Sequence, residues 1–450
     1  MAANKFFTIS LLKEKSTYAT LLLSFTLILC SGIATIAQTK KNKHQIIAIN
    51  AAEISTGTNS KAIINVTIIN GLGDEPLTEG CVLIKDGKIQ EVGKMSDVSI
   101  PAAAEITDAS GMYLLPGFID SHFHLDRTKG LPAKFLQHGV TSIRDPGAWI
   151  ESYDEERKSG KKIPRLFLTG PHFDMPPPAY PYDAYIVRDN YEAIKQVNAL
   201  ADQGATALKI YFRVPPGMIQ AICSTAHQRG IPVTAHLEIT EAMIAIEAGL
   251  DGVEHITSFG LSLLPKREGE KYRQGMLADN NFRKPGRYNM WKDININSAA
   301  ADSLSRYLVR KGTFVSPTLG PFEYQASNGP VDSAKLSGFN NMKAMTAKFN
   351  KAGVRLVLGS HSMIPYAEEG WAYQREMELW VESGIPNTRV IMGATIENAR
   401  YFRIDDRLGS IEKGKIADLV LLKENPLTDI KATRNIGKVM LNGVWVASGE

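Results

Sequence analysis

The order of apolar and polar positions divides the chain into two textures. Toward the start, AIINVTIING reads as a strand and GCVLIKDGKIQEVGK as a hairpin turning at Asp86 and Gly87. GSIEKGKIADLVLLKENP and IGKVMLNGVWVAS near the end show the same texture, with a second hairpin turn at Asn442 and Gly443. No helical pattern separates the strands at either end. The segments 61–115 and 405–450 are therefore expected to assemble one small composite β-sandwich domain from both ends of the chain.

Between them, over 116–404, strand-like apolar runs alternate with helix-like stretches such as NYEAIKQVNALADQG and AADSLSRYLVRKG. The strand candidates are GFIDSHFH, GVTSIRD, RLFLTGPH, ATALKIYF, IPVTAHLE, GVEHIT, GTFVSPTL and RLVLGSHS. Eight such units predict an α/β fold, a (β/α)₈ TIM-type barrel with its chemistry at the C-terminal strand ends. Residues 264–297 break the rhythm, being too long for an ordinary loop and rich in basic and aromatic residues. There Arg283, Lys284, Arg287, Tyr288 and Trp291 either close as a lid over an anionic substrate or are solvated loop residues. PPPAYPYDAY, after the third strand, is stiff and suited to walling a cleft.

The N-terminus changes the picture of location. Lys5, Lys13 and Lys15 precede TLLLSFTLILCSGIATIA, whose small residues end near Ala37. This is the layout of a cleaved signal peptide over 1–37, followed by a polar leader over 38–60, and it predicts export to the periplasm or beyond. A retained anchor is the alternative, but the apolar core is short for a bilayer span. Leu29 before Cys30 argues against a lipoprotein.

Composition narrows the class of partner. In 450 residues, 44% hydrophobic and 22% charged, a net charge of +4 gives no reason to expect nucleic acid. A small-molecule substrate is the expected partner, with no stable membrane span after processing and with room for a homo-oligomer. The three cysteines, Cys30, Cys81 and Cys223, make neither a disulfide framework nor a thiolate cluster. Any metal must be held by histidines and carboxylates.

Strand ends supply such groups. The first carries His122 and His124, which alternation turns to one side, the fourth Lys209, the fifth His236, the sixth His255 and the eighth His361. A single histidine at a strand end is usually structural, but so many nitrogen groups at one rim suit a divalent cation bound by neutral imidazoles. Lys209, on an apolar strand, is costly to bury unless paired or neutralised. Alternation also aims Tyr211 and Arg213 with Lys209, placing Arg213 at the mouth as a partner for a substrate carboxylate or, failing that, on the surface. Tyr211 suits hydrogen bonding to a carbonyl, and His172 ends the third strand.

LLPGFIDSHFH, GVTSIRD, Lys209 in ALKIY, His236, His255 and the tail ATIENARYFRIDDRLGSIEKGKIADLVLL resemble the metal-dependent amidohydrolase superfamily, in its imidazolonepropionase and prolidase-like dipeptidase branch. The resemblance runs from about residue 62 to the C-terminus. It implies a hydrolase of carbon–nitrogen bonds holding one or two divalent metals, most plausibly Zn²⁺. His122, His124, Lys209, His236 and His255 would be the ligands, with Lys209 carboxylated if the centre is binuclear. It also makes His172 a substrate contact, and a dipeptide, N-acyl amino acid or cyclic amide the substrate. The departure lies in the eighth strand, where the family carries an aspartate that binds metal and takes the proton of the attacking water. Here the residue is His361. It is either a substitute ligand, a substitute base, or the mark of a binding protein that has lost turnover.

Overall fold

The computed structural model describes residues 45–126, 128–326 and 330–446, so the expected signal peptide lies outside the described residues. Strands β1 (Lys61–Ile68), β2 (Leu77–Lys85), β3 (Lys88–Lys94), β4 (Glu105–Asp108) and β5 (Tyr113–Pro116) come from the start of the chain. From the end come β16 (Leu419–Leu422), β17 (Ile436–Leu441) and β18 (Val444–Val446). All eight form one sheet ordered β18-β17-β16-β5-β1-β2-β3, with β4 also on β1. Both predicted hairpin turns are present, with Asp86 and Gly87, like Asn442 and Gly443, at positive φ. Ile63, Val82, Ile84 and Ile89 share a core with Leu419, Leu421 and Met440 from the far half of the path, so the sheet curls over on itself.

The barrel strands are β6 (Phe118–Asp120), β7 (Val140–Asp145), β8 (Arg165–Leu168), β9 (His172–Asp174), β10 (Ala184–Ile186), β11 (Leu208–Ile210), β12 (Val233–His236), β13 (Gly252–Glu254), β14 (Phe314–Ser316) and β15 (Arg355–Leu356). Every residue of β7, β8, β12 and β13 is buried, as expected of parallel strands covered on both faces. Two parallel arcs result, β6-β7-β8 and β10-β9-β11-β12-β13-β14-β15. A jog between β8 and β9 joins them on one side, where Thr206 N donates to Leu168 O at 2.9 Å. On the other side Ser121 N donates to Leu358 O at 3.0 Å, and Asn398 Nδ2 bridges Ile119 O and Leu358 O. The seam is tight. A Cβ at Gly359 would lie 2.6 Å from His122 Cβ and 2.7 Å from Ser316 Oγ, so glycine alone lets the eighth strand approach the first.

The insertion departs from a solvated loop. It folds into two helices, Lys266–Ala278 and Arg283–Lys292, that roof the barrel. Tyr272, Met276, Arg283 and Trp291 are buried, because the thin apolar stripe of these polar helices turns inward onto the barrel top. Among the described residues no helix is long and apolar enough to cross a membrane.

Candidate active site

The strand ends of the barrel open into a cavity of about 1160 Å³ lined by His122, His124, His172, Lys209, Tyr211, His236, His255 and His361. Every predicted site residue except Arg213 lines this one space. The five rim histidines form a continuous cluster of rings. Centroids lie 4.9 Å apart for His122 and His124, 4.6 Å for His122 and His255, 4.5 Å for His236 and His255, and 5.2 Å for His122 and His361. His255 and His361 both sit at positive φ, 63° and 60°, as does Thr318 at 44°. Left-handed backbone at three non-glycine residues beside one cavity is a strain that surrounding structure has to enforce. Here the enforcement is visible, since His361 N donates to His122 O at 2.6 Å and His255 N to Ser316 O at 2.8 Å.

His122, His124 and His361 come closest to a ligand set. One ring nitrogen from each lies within 4.8 Å of the others. His122 Nδ1 stands 2.8 Å from Glu254 Oε2, which fixes the tautomer that donates there and leaves Nε2 as a lone pair. That Nε2 lies 3.1 Å from His124 Nε2, and His361 Nδ1 is buried with no hydrogen-bond partner among the described residues. Burial lowers the His122 pKa to about 4, against the opposing charge of Glu254, so the imidazole is neutral at physiological pH. Burial likewise holds His361 well below its usual value. His124 differs: burial would lower its pKa, but Asp145, with Oδ1 3.5 Å from Nδ1, holds it above the usual value. Neutral His122 and His361, one of their nitrogens orphaned, beside a His124 that would give up its proton on binding, are a donor set that fits a zinc-type cation.

Glu254 anchors this set from beneath. It also accepts from Thr234 Oγ1 at 2.8 Å and Tyr401 Oη at 3.0 Å. Burial alone would raise its pKa, but Lys209 and His122 overcome that and hold the carboxyl well below the usual range. Lys209 is 3% exposed, and burial lowers its ammonium to about 8 against the negative charges of Glu254 and Asp145. An amine so shifted is in part neutral near pH 8, the form that can be carboxylated.

The other side of the cluster is tied up differently. His236 Nε2 lies 2.9 Å from Glu238 Oε1 and 3.0 Å from Arg287 Nη2, leaving Nδ1 as its uncommitted nitrogen. Arg287 Nη2 and Glu238 Oε1 pair at 2.5 Å, and Tyr272 Oη donates to Glu238 Oε2 at 2.5 Å. His255 Nδ1 lies 2.5 Å from Thr318 Oγ1. Glu238 and Arg287 are site residues that histidine spacing alone did not reveal. Glu238 stands two positions beyond His236, past the end of β12, where strand alternation gives no signal.

On the substrate side, His172 is 4% exposed, its Nε2 has no partner among the described residues, and its ring lies 4.7 Å from that of Tyr211. Arg213 is not where alternation predicts. Strand β11 ends at Ile210, and residues 212–213 form a turn ahead of Pro215 and Pro216, so the period of two no longer applies. Arg213 Nε and Nη2 instead hold Asn280 Oδ1 at 2.9 and 2.8 Å, and Nη2 holds Met276 O at 2.9 Å. It ties down the roof from outside the cavity.

The sequence profile of the Amidohydrolase family matches residues 113–446, most of the chain. The chain belongs to the amidohydrolase family. It is 24% identical over 387 residues to an adenine deaminase of Moorella thermoacetica, covering 82% of this chain and 54% of that protein. To an adenine deaminase of Listeria welshimeri it is 39% identical over 85 residues, covering 18% of this chain and 14% of the other. The amidohydrolase thus spans little more than half the length of the first of these curated relatives and a far smaller share of the second. In fold it is similar to a Xaa-Pro dipeptidase solved with methionine in its active site, with a TM-score of 0.66, 21% identity, and coverage of 86% of this chain and 99% of that one.

Proposed function

We propose that this amidohydrolase is an exported, metal-dependent hydrolase that cleaves a carbon–nitrogen bond, amide, peptide-like or cyclic, in a small carboxylate-bearing molecule. One observation carries the reading. Ring nitrogens of His122, His124 and His361, from the two ends of the barrel seam, lie within 4.8 Å of one another beside a cavity large enough for a small peptide, and His361 Nδ1 has no hydrogen-bond partner among the described residues. His122, His124 and His361 would hold one divalent cation, most plausibly Zn²⁺, and Lys209, carboxylated, with His255 and the free nitrogen of His236, a second. When bound, such a cation supplies Lewis acidity toward a carbonyl and toward water. Glu254 orients His122, and Tyr211 and His172 face the space where a scissile carbonyl would lie. His361 is better read as a ligand than as a base, because its Nδ1 is buried without a hydrogen-bond partner among the described residues and one of its ring nitrogens lies within 4.8 Å of those of His122 and His124. Export rests on the lysines and apolar run of residues 1–37.

Elemental analysis of purified protein, combined with a screen of dipeptides, N-acyl amino acids and cyclic amides, tests this. Bound metal and turnover of one of these classes are expected. Protein that stays free of metal after supplementation would overturn the reading. Bound metal without turnover, together with turnover gained in His361→Asp, would instead favour a metal-dependent binding protein lacking its base.

A further inference from the structure

Three arginines surround the cavity roof, and two of them are fully used. Arg213 holds Asn280 and the carbonyl of Met276, and Arg287 pairs with Glu238. Arg283 is different. It is 5% exposed and lines the cavity, yet among the described residues it pairs with no carboxylate. Its hydrogen bond goes from Nη1 to Tyr211 Oη at 3.3 Å. The guanidinium is otherwise boxed by aromatic faces, 4.8 Å from the ring of Tyr180, 5.6 Å from Phe212 and 5.9 Å from Tyr211. Aromatic faces fix its plane without neutralising its charge. A buried, uncompensated cation is costly unless a partner arrives, and the open side of this one is the cavity.

Tyr211 completes the arrangement. Because its oxygen accepts from Arg283, its own proton is free to be donated elsewhere. A planar guanidinium edge beside a hydroxyl donor is complementary to a carboxylate and offers a neutral amide much less.

We propose that Arg283, with Tyr211, is the receptor for the substrate's carboxylate and so restricts this amidohydrolase to free acids over their amides. The proposal takes its ligand class from the hydrolase reading of the same cavity, while its test does not depend on turnover. Wild-type protein, loaded with zinc, is titrated calorimetrically with glycyl-L-leucine and glycyl-L-leucinamide, and with N-acetyl-L-leucine and N-acetyl-L-leucinamide. Each acid is expected to bind at least about tenfold more tightly than its amide. In Arg283→Met that preference should collapse toward unity, while Arg283→Lys, which keeps charge without the planar fork, should retain part of it. Arg213→Met should keep the full preference.

Equal affinity of acid and amide for wild-type protein would overturn the proposal, as would a preference intact in Arg283→Met. Should Arg283→Met fail to fold, the wild-type comparison and the lysine variant decide. Acid-selective binding without hydrolysis would sink the hydrolase reading and leave this one standing. Hydrolysis indifferent to the carboxylate would do the reverse.

Discussion

The two halves of the histidine cluster differ in what their nitrogens already do. At the seam of the first and eighth strands, His122 Nε2 faces His124 Nε2 and His361 Nδ1 has no partner among the described residues. On the fifth and sixth strands, His236 Nε2 is held by Glu238 and Arg287, and His255 Nδ1 by Thr318. The first half is arranged around a gap between lone pairs. The second is arranged around hydrogen bonds it would keep in the absence of any cation. Preorganised, desolvated donors bind a cation with little rearrangement, so the seam site is expected to be the tighter of two and the Lys209 side the weaker.

That ranking can be broken outright. His122→Ala should cost the tight cation and lower turnover by at least about a thousandfold, since the Lewis acid that makes water reactive near neutral pH leaves with it. His236→Ala should keep one tightly bound equivalent. Metal content after dialysis against a weak chelator, measured beside kcat/KM, checks both. Were His236→Ala the variant that lost the tight equivalent, the ranking would be inverted.

A gentler variant sharpens the same contrast. Glu254→Gln keeps the size of the side chain and an acceptor for His122 but removes the charge that three hydrogen bonds and Lys209 converge on. Metal affinity should fall about 10- to 100-fold, as for other carboxylates behind a ligating histidine. Competition with a chelator of known affinity measures it. No change in affinity would show that Glu254 serves the packing of the barrel and not the orientation of its imidazole.

Much of this contrast could be read from the sequence, and the failures have physical causes. Each of the eight predicted runs holds a barrel strand, the third divided into β8 and β9, while β10 was not among them. These runs and both hairpins were legible because fully buried parallel strands are short apolar runs, and because Asp-Gly and Asn-Gly supply positive φ. Alternation pointed His122 and His124 to one side, and both line the cavity although β6 ends at Asp120. The same rule misplaced Arg213, since a strand's period means nothing once the chain turns at 212–213. The roof helices were missed for want of an apolar stripe, only Gly269, Tyr272 and Met276 being buried in the first. Glu254 stands next to His255 and Glu238 two residues past His236, but nothing in composition separates an inward carboxylate from a surface one. It takes the barrel to show that both face histidines.

Acid should separate the cavity from the rest of the molecule. His172 has its pKa lowered to about 3, by burial first and then by the positive charges of Lys209 and neighbouring histidines, against about 6.5 when unfolded. The unfolded chain therefore takes up the proton first, and stability falls as pH drops from about 6.5 toward 3. In His172→Gln, which does not titrate, the slope of unfolding free energy between pH 6 and 4 should be shallower by about 1.4 kcal/mol per pH unit. Urea denaturation at several pH values gives that slope. An unaltered slope would mean that the imidazole is solvated in the folded protein.

The smallest effect on function is expected where the sequence pointed first. Arg213→Met removes the fork that holds Asn280 Oδ1 and the carbonyls of Met276 and Leu277 at the end of the first roof helix. Those carbonyls sit near the protein surface, where water replaces part of what the guanidinium gave, so the loss should be about 1 to 2 kcal/mol of stability. Roof and floor would stay in register through other contacts, since Asn280 Nδ2 also donates to Pro177 O at 3.0 Å and Arg287 still reaches Glu238. KM and kcat should move by less than about threefold, while the melting temperature falls by a few degrees. A large rise in KM with unchanged stability would return Arg213 to the mouth of the cavity, and would mean that the roof opens far enough for the guanidinium to swing inward.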